Sequence, residues 1–349
     1  MKQLEGKRVL ISEPVPPAFE AANRLKALGC AVEFGSEICN RTNRRSIEEM
    51  KRIVREYDGF IGMSREKFPR EVLEQAKRLT IISKYGIGVD HIDLKAASEN
   101  GVLVAVSPVN RVPVAEHTVT LMLALCKCIR KNQRYLNIPN WRMQEMVGTE
   151  LYGKTIGFVG IGGITREVIA RLSGWHCDFI GYDPYVSAEK AAADHVKKVD
   201  WETLFATADI ISLHLPLTAD TKGSVGEKEF SLMKESALFI NTARGKLVKQ
   251  DALIAAIKAG KIAGCGLDVA ESEEPIPGDD PIMEIANADN VIITPHIAGW
   301  TRECQQRLAD VTTDNIVLAL QGTIPNNLVN TDAVENWKKK MNDPRCMLL

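Results

Sequence analysis

The chain predicts an α/β fold of two doubly wound parallel-sheet domains, and three observations carry that expectation. Short apolar runs alternate with helical patterns twice over, first across roughly residues 7–107 and again from Lys154 onward. A glycine-rich turn, Gly160-Ile-Gly162-Gly163-Ile-Thr165, stands where a strand should pass into a helix. Three chemically active side chains, Arg244, Glu274 and His296, each follow a separate apolar run in the second half. Such alternation indicates parallel strands covered by helices on both faces. In an open α/β sheet, ligands bind beyond the carboxyl ends of the strands.

Element by element, the first half reads as strands KRVLIS, AVEFG, DGFIGM, TIISKYG and VLVAVS, each short, apolar and bounded by turn residues. Between them lie helical patterns: AFEAANRLKAL closed by Gly29, a charged stretch from Ser46 to Glu56, EVLEQAKRL, and HIDLKAASENG. From about Pro113 the character changes. VAEHTVTLMLALCKCIR reads as one long helix whose apolar side is too wide for a solvated surface, and a loop carrying Trp141 follows. The second series of strands is KTIGFVG, DFIGYD, DIISLHL, ALFINTA, AGCGLDV and NVIITPH. An amphipathic helix from about Thr301 to Leu320 ends at Gly322, IPNNLVN continues as an extended segment, and the Lys-rich last nineteen residues read as a tail.

Composition narrows the function classes. At 349 residues the chain exceeds one ordinary core, and 45% hydrophobic with 26% charged residues match a globular protein. A net charge of −1 supplies no long-range attraction to nucleic acid or a membrane surface, so neither is an expected partner. No apolar stretch approaches the ~20 residues needed to cross a bilayer, and MKQLEGKRVLISEP lacks a signal-peptide core, so a cytoplasmic location is expected. The eight cysteines form no CxxC pair and no Cys/His cluster. Buried reduced thiols and no metal site are expected.

The glycine turn is the outline of a dinucleotide site. Gly160 permits the tight turn, and Gly162 lets backbone approach a pyrophosphate seated on a helix N-terminus. The third fingerprint position holds Thr165 in place of Gly. Asp183, twenty-three residues past Gly160, can accept hydrogen bonds from ribose hydroxyls and would repel a 2′-phosphate, which favours NAD over NADP. Arg244 offers a planar fork that fits a carboxylate and can polarise a carbonyl oxygen. His296 suits proton exchange near neutral pH, and a neighbouring carboxylate would favour its imidazolium.

The segments KYGIGVDHIDLKAA, VGIGGIT with YDP, SLHLPLT, INTARGKLV, CGLDV with EEP, and TPHIAG resemble the D-isomer-specific 2-hydroxyacid dehydrogenases, most of all the phosphoglycerate dehydrogenase-like members in a short form without further domains after residue 330. The resemblance covers roughly residues 50–330. It implies Rossmann-like and flavodoxin-like domains with an active-site cleft between them. Residues 1–108 and 299–349 would form a discontinuous substrate-binding domain, and 109–298 the NAD-binding domain. It further implies a catalytic set of Arg244, Glu274 and His296. The cofactor would meet Gly160, Gly162, Gly163, Ile164, Asp183 and Leu215, together with Ile87, Thr242, Ala243, Asp268, His296 and Gly299. Ser64, Tyr85, Gly86, Asn110 and Arg244 would bind a small 2-keto or 2-hydroxy acid. The apolar helix and the Trp141 loop would form a homodimer arm.

Several positions depart from the family pattern. DVAESEEP is one residue longer than usual, so Glu273 stands as an alternative to Glu274. The stretch from Pro108 to Asn110 is one residue shorter than usual, and Trp300 replaces a small residue. Met63 occupies the position where phosphoglycerate-using relatives carry an Arg, leaving Arg65, Lys67 or Lys84 to neutralise a phosphate. Hydroxypyruvate, glyoxylate, a sugar acid and bulkier keto acids are the other candidate substrates. Oxidation of an anion such as phosphite, and an NADH-sensing transcriptional corepressor of the same family, are the alternative functions.

Overall fold

A computed structural model describes residues 3–35, 45–63, 66–136, 144–272 and 276–342. The chain divides into two compact units, 1–110 with 301–349, and 111–300. These limits lie two residues beyond each expected domain boundary. Ser64, Arg65, Trp141, Glu273 and Glu274 lie outside the described residues.

The first unit holds strands β1 (Arg8–Ile11), β2 (Ala31–Phe34), β3 (Gly59–Gly62), β4 (Ile81–Lys84) and β5 (Leu103–Ala105) in a parallel sheet ordered β2-β1-β3-β4-β5. Successive strand residues enter opposite cores. Val9, Ile11, Ile61 and Ile81 pack on one face, and Leu10, Phe60, Ile82 and Val104 on the other. This two-sided burial explains why the strands read as continuous apolar runs. The helix Pro16–Ala27 opens on a proline, and Ile47–Glu56 is capped by Ser46, whose hydroxyl accepts from Glu49 N at 3.2 Å. The pattern in EVLEQAKRL yields a single helical turn, Arg70–Leu73.

The long helix Arg302–Leu320, capped by Thr301, belongs to this unit. The expected C-terminal tail is corrected by the structure: Val334–Met341 is a helix, and Trp337 on it is 1% exposed. Lys340 explains why a Lys-rich stretch docks. Its ammonium donates to the carbonyls of Leu79 (2.7 Å) and Asn100 (3.0 Å) and to that of Ala76.

The second unit holds β6 (Thr155–Val159), β7 (Asp178–Tyr182), β8 (Lys197–Lys198), β9 (Ile210–Leu213), β10 (Leu238–Asn241), β11 (Gly264–Leu267) and β12 (Val291–Ile293). All pairs are parallel, in the order β12-β11-β10-β9-β6-β7-β8. The two-residue edge strand β8 was not expected from sequence. The strand order reverses between β6 and β9, the crevice where such sheets take ligands. Phe239 faces one core while Leu238 and Ile240 face the other, so helices cover both sides here too.

The apolar segment expected as one helix to Arg130 is two. The first, Arg111–Cys126, buries Leu121, Met122 and Leu125 in the unit's own core. It stops because the Cys126 carbonyl accepts from Thr149 N at 2.7 Å and Cys128 turns left-handed at φ +49°, after which Ile129–Arg134 begins. Among the described residues no helix is long and apolar enough to cross a membrane, and no cluster of His, Cys, Asp or Glu could hold a metal ion.

Candidate functional site

The turn after β6 lies at the switch point. Gly160 adopts φ +98°, and a Cβ there would lie 2.6 Å from the His214 carbonyl and 3.2 Å from Leu215 N. Only glycine meets both demands. Thr165, the departure from the fingerprint, is fully buried and donates its hydroxyl to the Gly160 carbonyl at 2.7 Å. The third glycine is thus replaced by a side chain that ties the turn to its own helix, Gly163–Leu172. Gly162 caps that helix with nothing within 4 Å of a would-be Cβ, so its backbone face is open to a phosphate. The Arg111 side chain lies over Gly163, its Nε 2.7 Å from where a Cβ would be. Sequence reasoning missed this cation.

Asp183 closes the turn from the end of β7. Its Oδ2 accepts from Ile161 N at 3.0 Å and its Oδ1 from Tyr185 N at 2.9 Å. Two backbone donors hold the carboxylate in place, and each oxygen keeps a lone pair for a further hydroxyl donor. Open glycine, helix N-terminus and anchored acid together fit a dinucleotide.

His214, at the end of β9, is structural. Burial pushes its imidazole down to about 3, so it is neutral across the physiological range, and its Nε2 bonds Ser212 Oγ at 2.9 Å.

Three adjacent strands then deliver the polar groups. After β10, Asn241 shapes the turn: its side chain accepts from Ala243 N at 3.0 Å and donates to the Arg244 carbonyl at 2.9 Å. Gly245 presses against the next loop so closely that a Cβ would lie 1.7 Å from the Ala270 carbonyl. The Arg244 guanidinium is half-buried and donates to the Ala243 carbonyl at 2.7 Å. After β11, Asp268 is 1% exposed. Its Oδ1 accepts from the Thr294 hydroxyl (2.5 Å) and Ile297 N (2.9 Å), and its Oδ2 accepts from Ala298 N (2.9 Å). After β12, His296 sits at φ +55°, with its N–H directed to the carbonyls of Asp268 (2.9 Å) and Thr294 (3.0 Å). A left-handed histidine persists only where its surroundings over-determine it. The Asp268 clamp supplies that constraint.

The acidic segment expected to serve His296 lies outside the described residues, but its flanks are fastened. Gln250 accepts from Glu271 N at 3.1 Å and donates to Asp280 Oδ1 at 2.8 Å. Of the remaining expected residues in this unit, Thr242, Ala243, Leu215 and Gly299 lie in loops that follow strands of the sheet, and Ile164 lies in the first turn of the helix Gly163–Leu172.

In the first unit, Gly86 is left-handed at φ +96° and Ile87 is exposed. The Tyr85 side chain is buried in the core, where burial raises its phenol far above the ordinary range, so at Tyr85 only the backbone could meet a substrate. Asn110 has a buried side-chain oxygen with no hydrogen-bond partner among the described residues. Lys84 is 1% exposed and donates to the Met63 carbonyl.

Comparison with known proteins places these features. The family model described as D-isomer specific 2-hydroxyacid dehydrogenase, NAD binding domain, matches residues 119–298. A D-3-phosphoglycerate dehydrogenase of Archaeoglobus fulgidus is 38% identical over 329 residues, 94% of this chain and 60% of that protein. A glyoxylate reductase of Korarchaeum cryptofilum is 35% identical over 287 residues, 81% of this chain and 85% of that one. The solved structure of D-lactate dehydrogenase from Aquifex aeolicus, complexed with NAD and lactic acid, matches with a TM-score of 0.81 at 30% identity, covering 93% of this chain and 99% of that one. The chain spans 60% of the length of the A. fulgidus protein and 55% of a D-3-phosphoglycerate dehydrogenase of Methanocaldococcus jannaschii.

Proposed function

This chain belongs to the D-isomer-specific 2-hydroxyacid dehydrogenase family, and from that premise we propose that it interconverts a 2-keto acid and a D-2-hydroxy acid with NAD(H). The observation that carries the reading is the delivery of Arg244, Asp268 and His296 by three adjacent strands to one sheet edge that also carries the Gly160 turn. In the reductive direction NADH, once bound, would be the source of the hydride. Arg244 pairs with the substrate carboxylate and polarises the carbonyl oxygen. His296 gives its proton to that oxygen, and in the reverse direction removes it from the hydroxyl. Glu274, or Glu273 in the alternative alignment, favours the imidazolium. Gly162 and the helix behind it would hold the pyrophosphate, and Asp183 would hold the adenosine ribose.

The substrate is an unphosphorylated keto acid in this reading. Met63 cannot neutralise a phosphate, and the buried Lys84 ammonium is engaged with the Met63 carbonyl. Initial rates with glyoxylate, hydroxypyruvate, pyruvate and 3-phosphohydroxypyruvate test it, using NADH and NADPH in turn. NADH should be preferred by at least about tenfold, because each ~1.4 kcal/mol of repulsion or lost hydrogen bonding at Asp183 is a factor of ten. An unphosphorylated acid should outpace the phosphorylated one. Equal use of both cofactors, or fastest turnover of the phosphorylated acid, contradicts the assignment.

Self-association as a homodimer is part of the same proposal. Ile129, Leu136, Val147 and Tyr152 are apolar side chains left 55%, 62%, 66% and 61% exposed in the second unit. Exposed apolar side chains gain by burial in an association surface, and two-fold dimers are the commonest closed oligomer. Light scattering at micromolar concentration should report twice the chain mass; a monomer would refute this part.

A further inference from the structure

We propose that His117 and Thr118, consecutive residues of the Arg111–Cys126 helix, are positioning residues that hold the ends of β10, β11 and β12 in the arrangement the reaction needs. The inference rests on the reading of Arg244 and His296 given above. His117 Nε2 lies 2.9 Å from Thr294 Oγ1 and 3.6 Å from Asp268 Oδ1. The Thr118 hydroxyl lies 2.9 Å from that of Thr242. One turn of helix therefore reaches the segment after β10 that leads to Arg244, the Asp268 carboxylate after β11, and the Thr294 hydroxyl two residues before His296.

The proton directions follow from the partners. Thr294 gives its single hydroxyl proton to Asp268 Oδ1, so its oxygen can only accept from His117, and His117 Nε2 carries a proton. Thr118 donates to the Val114 carbonyl at 2.8 Å, so the Thr242 hydroxyl is the donor toward Thr118. The result is a relay of oriented hydrogen bonds from His117 through Thr294 to Asp268. That carboxylate also receives the N–H groups of Ile297 and Ala298, which flank the left-handed His296 on its carboxyl side. Thr118 is fully buried, Asp268 is 1% exposed and Thr242 is 8% exposed, so water does not cheaply replace a partner lost at those three, while His117, its side chain 19% exposed, and Thr294 are half-buried. Removing the His117 donor leaves Thr294 held only through its own donation to Asp268, with the Leu267 carbonyl 3.4 Å away as a competing acceptor, and loosens the clamp that holds the His296 backbone.

Three single variants and one double test the brace: His117→Leu, which keeps bulk without a donor, Thr294→Val, which is isosteric, His117→Gln, which returns an N–H at similar reach, and the first two combined. The readouts are glyoxylate reduction, NADH affinity by fluorescence, and hydrogen exchange of the amides of Ile297 and Ala298. In the Leu and Val variants kcat should fall at least about tenfold while the NADH Kd moves less than about threefold. Exchange at both amides should quicken at least about tenfold. The Gln variant should recover most of kcat and the protection. The Leu/Val double variant should be no worse than about twofold below the weaker single, since both cut one relay. Unchanged kcat and exchange in the Leu variant, equal damage from Gln, or multiplying losses in the double variant overturn the proposal. Absence of keto-acid turnover in the unaltered protein would defeat the functional reading separately. The exchange arm then still decides the brace: quickening in Leu but not in Gln supports it, and no quickening overturns it.

Discussion

Replacing Arg244 with Ala is expected to lower kcat/KM for the preferred keto acid by about 10²-fold or more, roughly 2.7 kcal/mol of transition-state stabilisation. The guanidinium has two tasks in the proposed reaction, anchoring a carboxylate and polarising the carbonyl, and a methyl group performs neither. Arg244→Lys should recover little, because a point charge cannot reproduce the planar two-pronged geometry. Folding should survive. The turn is held by the Asn241 side chain and by the fit of Gly245 against the Ala270 carbonyl, neither of which uses the Arg244 side chain. NADH affinity measured by fluorescence should change little. Near-normal turnover in the Ala variant would show the site misplaced.

His296→Ala should abolish most reduction at every pH, a loss of about 10²–10⁴-fold, since no positioned proton donor remains. The acidic partner is distinguished by pH dependence. A carboxylate favours the imidazolium, so its replacement by an amide makes the ring give up its proton more readily. Reduction needs the protonated ring, and its rate therefore falls as pH rises through the ring's titration. In Glu274→Gln that fall should begin at lower pH than in the unaltered protein, and Glu273→Gln should leave it nearly in place. The reverse pattern would assign the role to Glu273. No displacement in either variant would remove the pairing from the account.

The legible parts of the fold were those that local chemistry dictates. Among the described residues, eleven of the twelve strands read directly from apolar runs, since the central strands of both sheets are covered on two faces, and β8, two lysines long, has no such signature. Gly160 and Asp183 were legible because a left-handed turn demands glycine and the acid at the next strand's end stands at a fixed spacing from it. What escaped sequence reading depends on distant partners. The helix break at Cys128 is decided by Thr149, and the docking of the last helix by carbonyls at Leu79 and Asn100 that receive the Lys340 ammonium. His117 meets Thr294 across 177 residues, and no spacing rule on an apolar helix announces that contact. A polar side chain on the buried side of that helix was the one available signal.

The central claim is that Arg244 and His296 present one face of a 2-keto acid for hydride and proton delivery, and the configuration of the product tests it most directly. Hydroxypyruvate reduced with NADH should yield glycerate of the D configuration, resolved by chiral chromatography, with one NADH consumed per molecule formed. Formation of the L isomer, a racemic product, or NADH oxidation without glycerate would contradict the account.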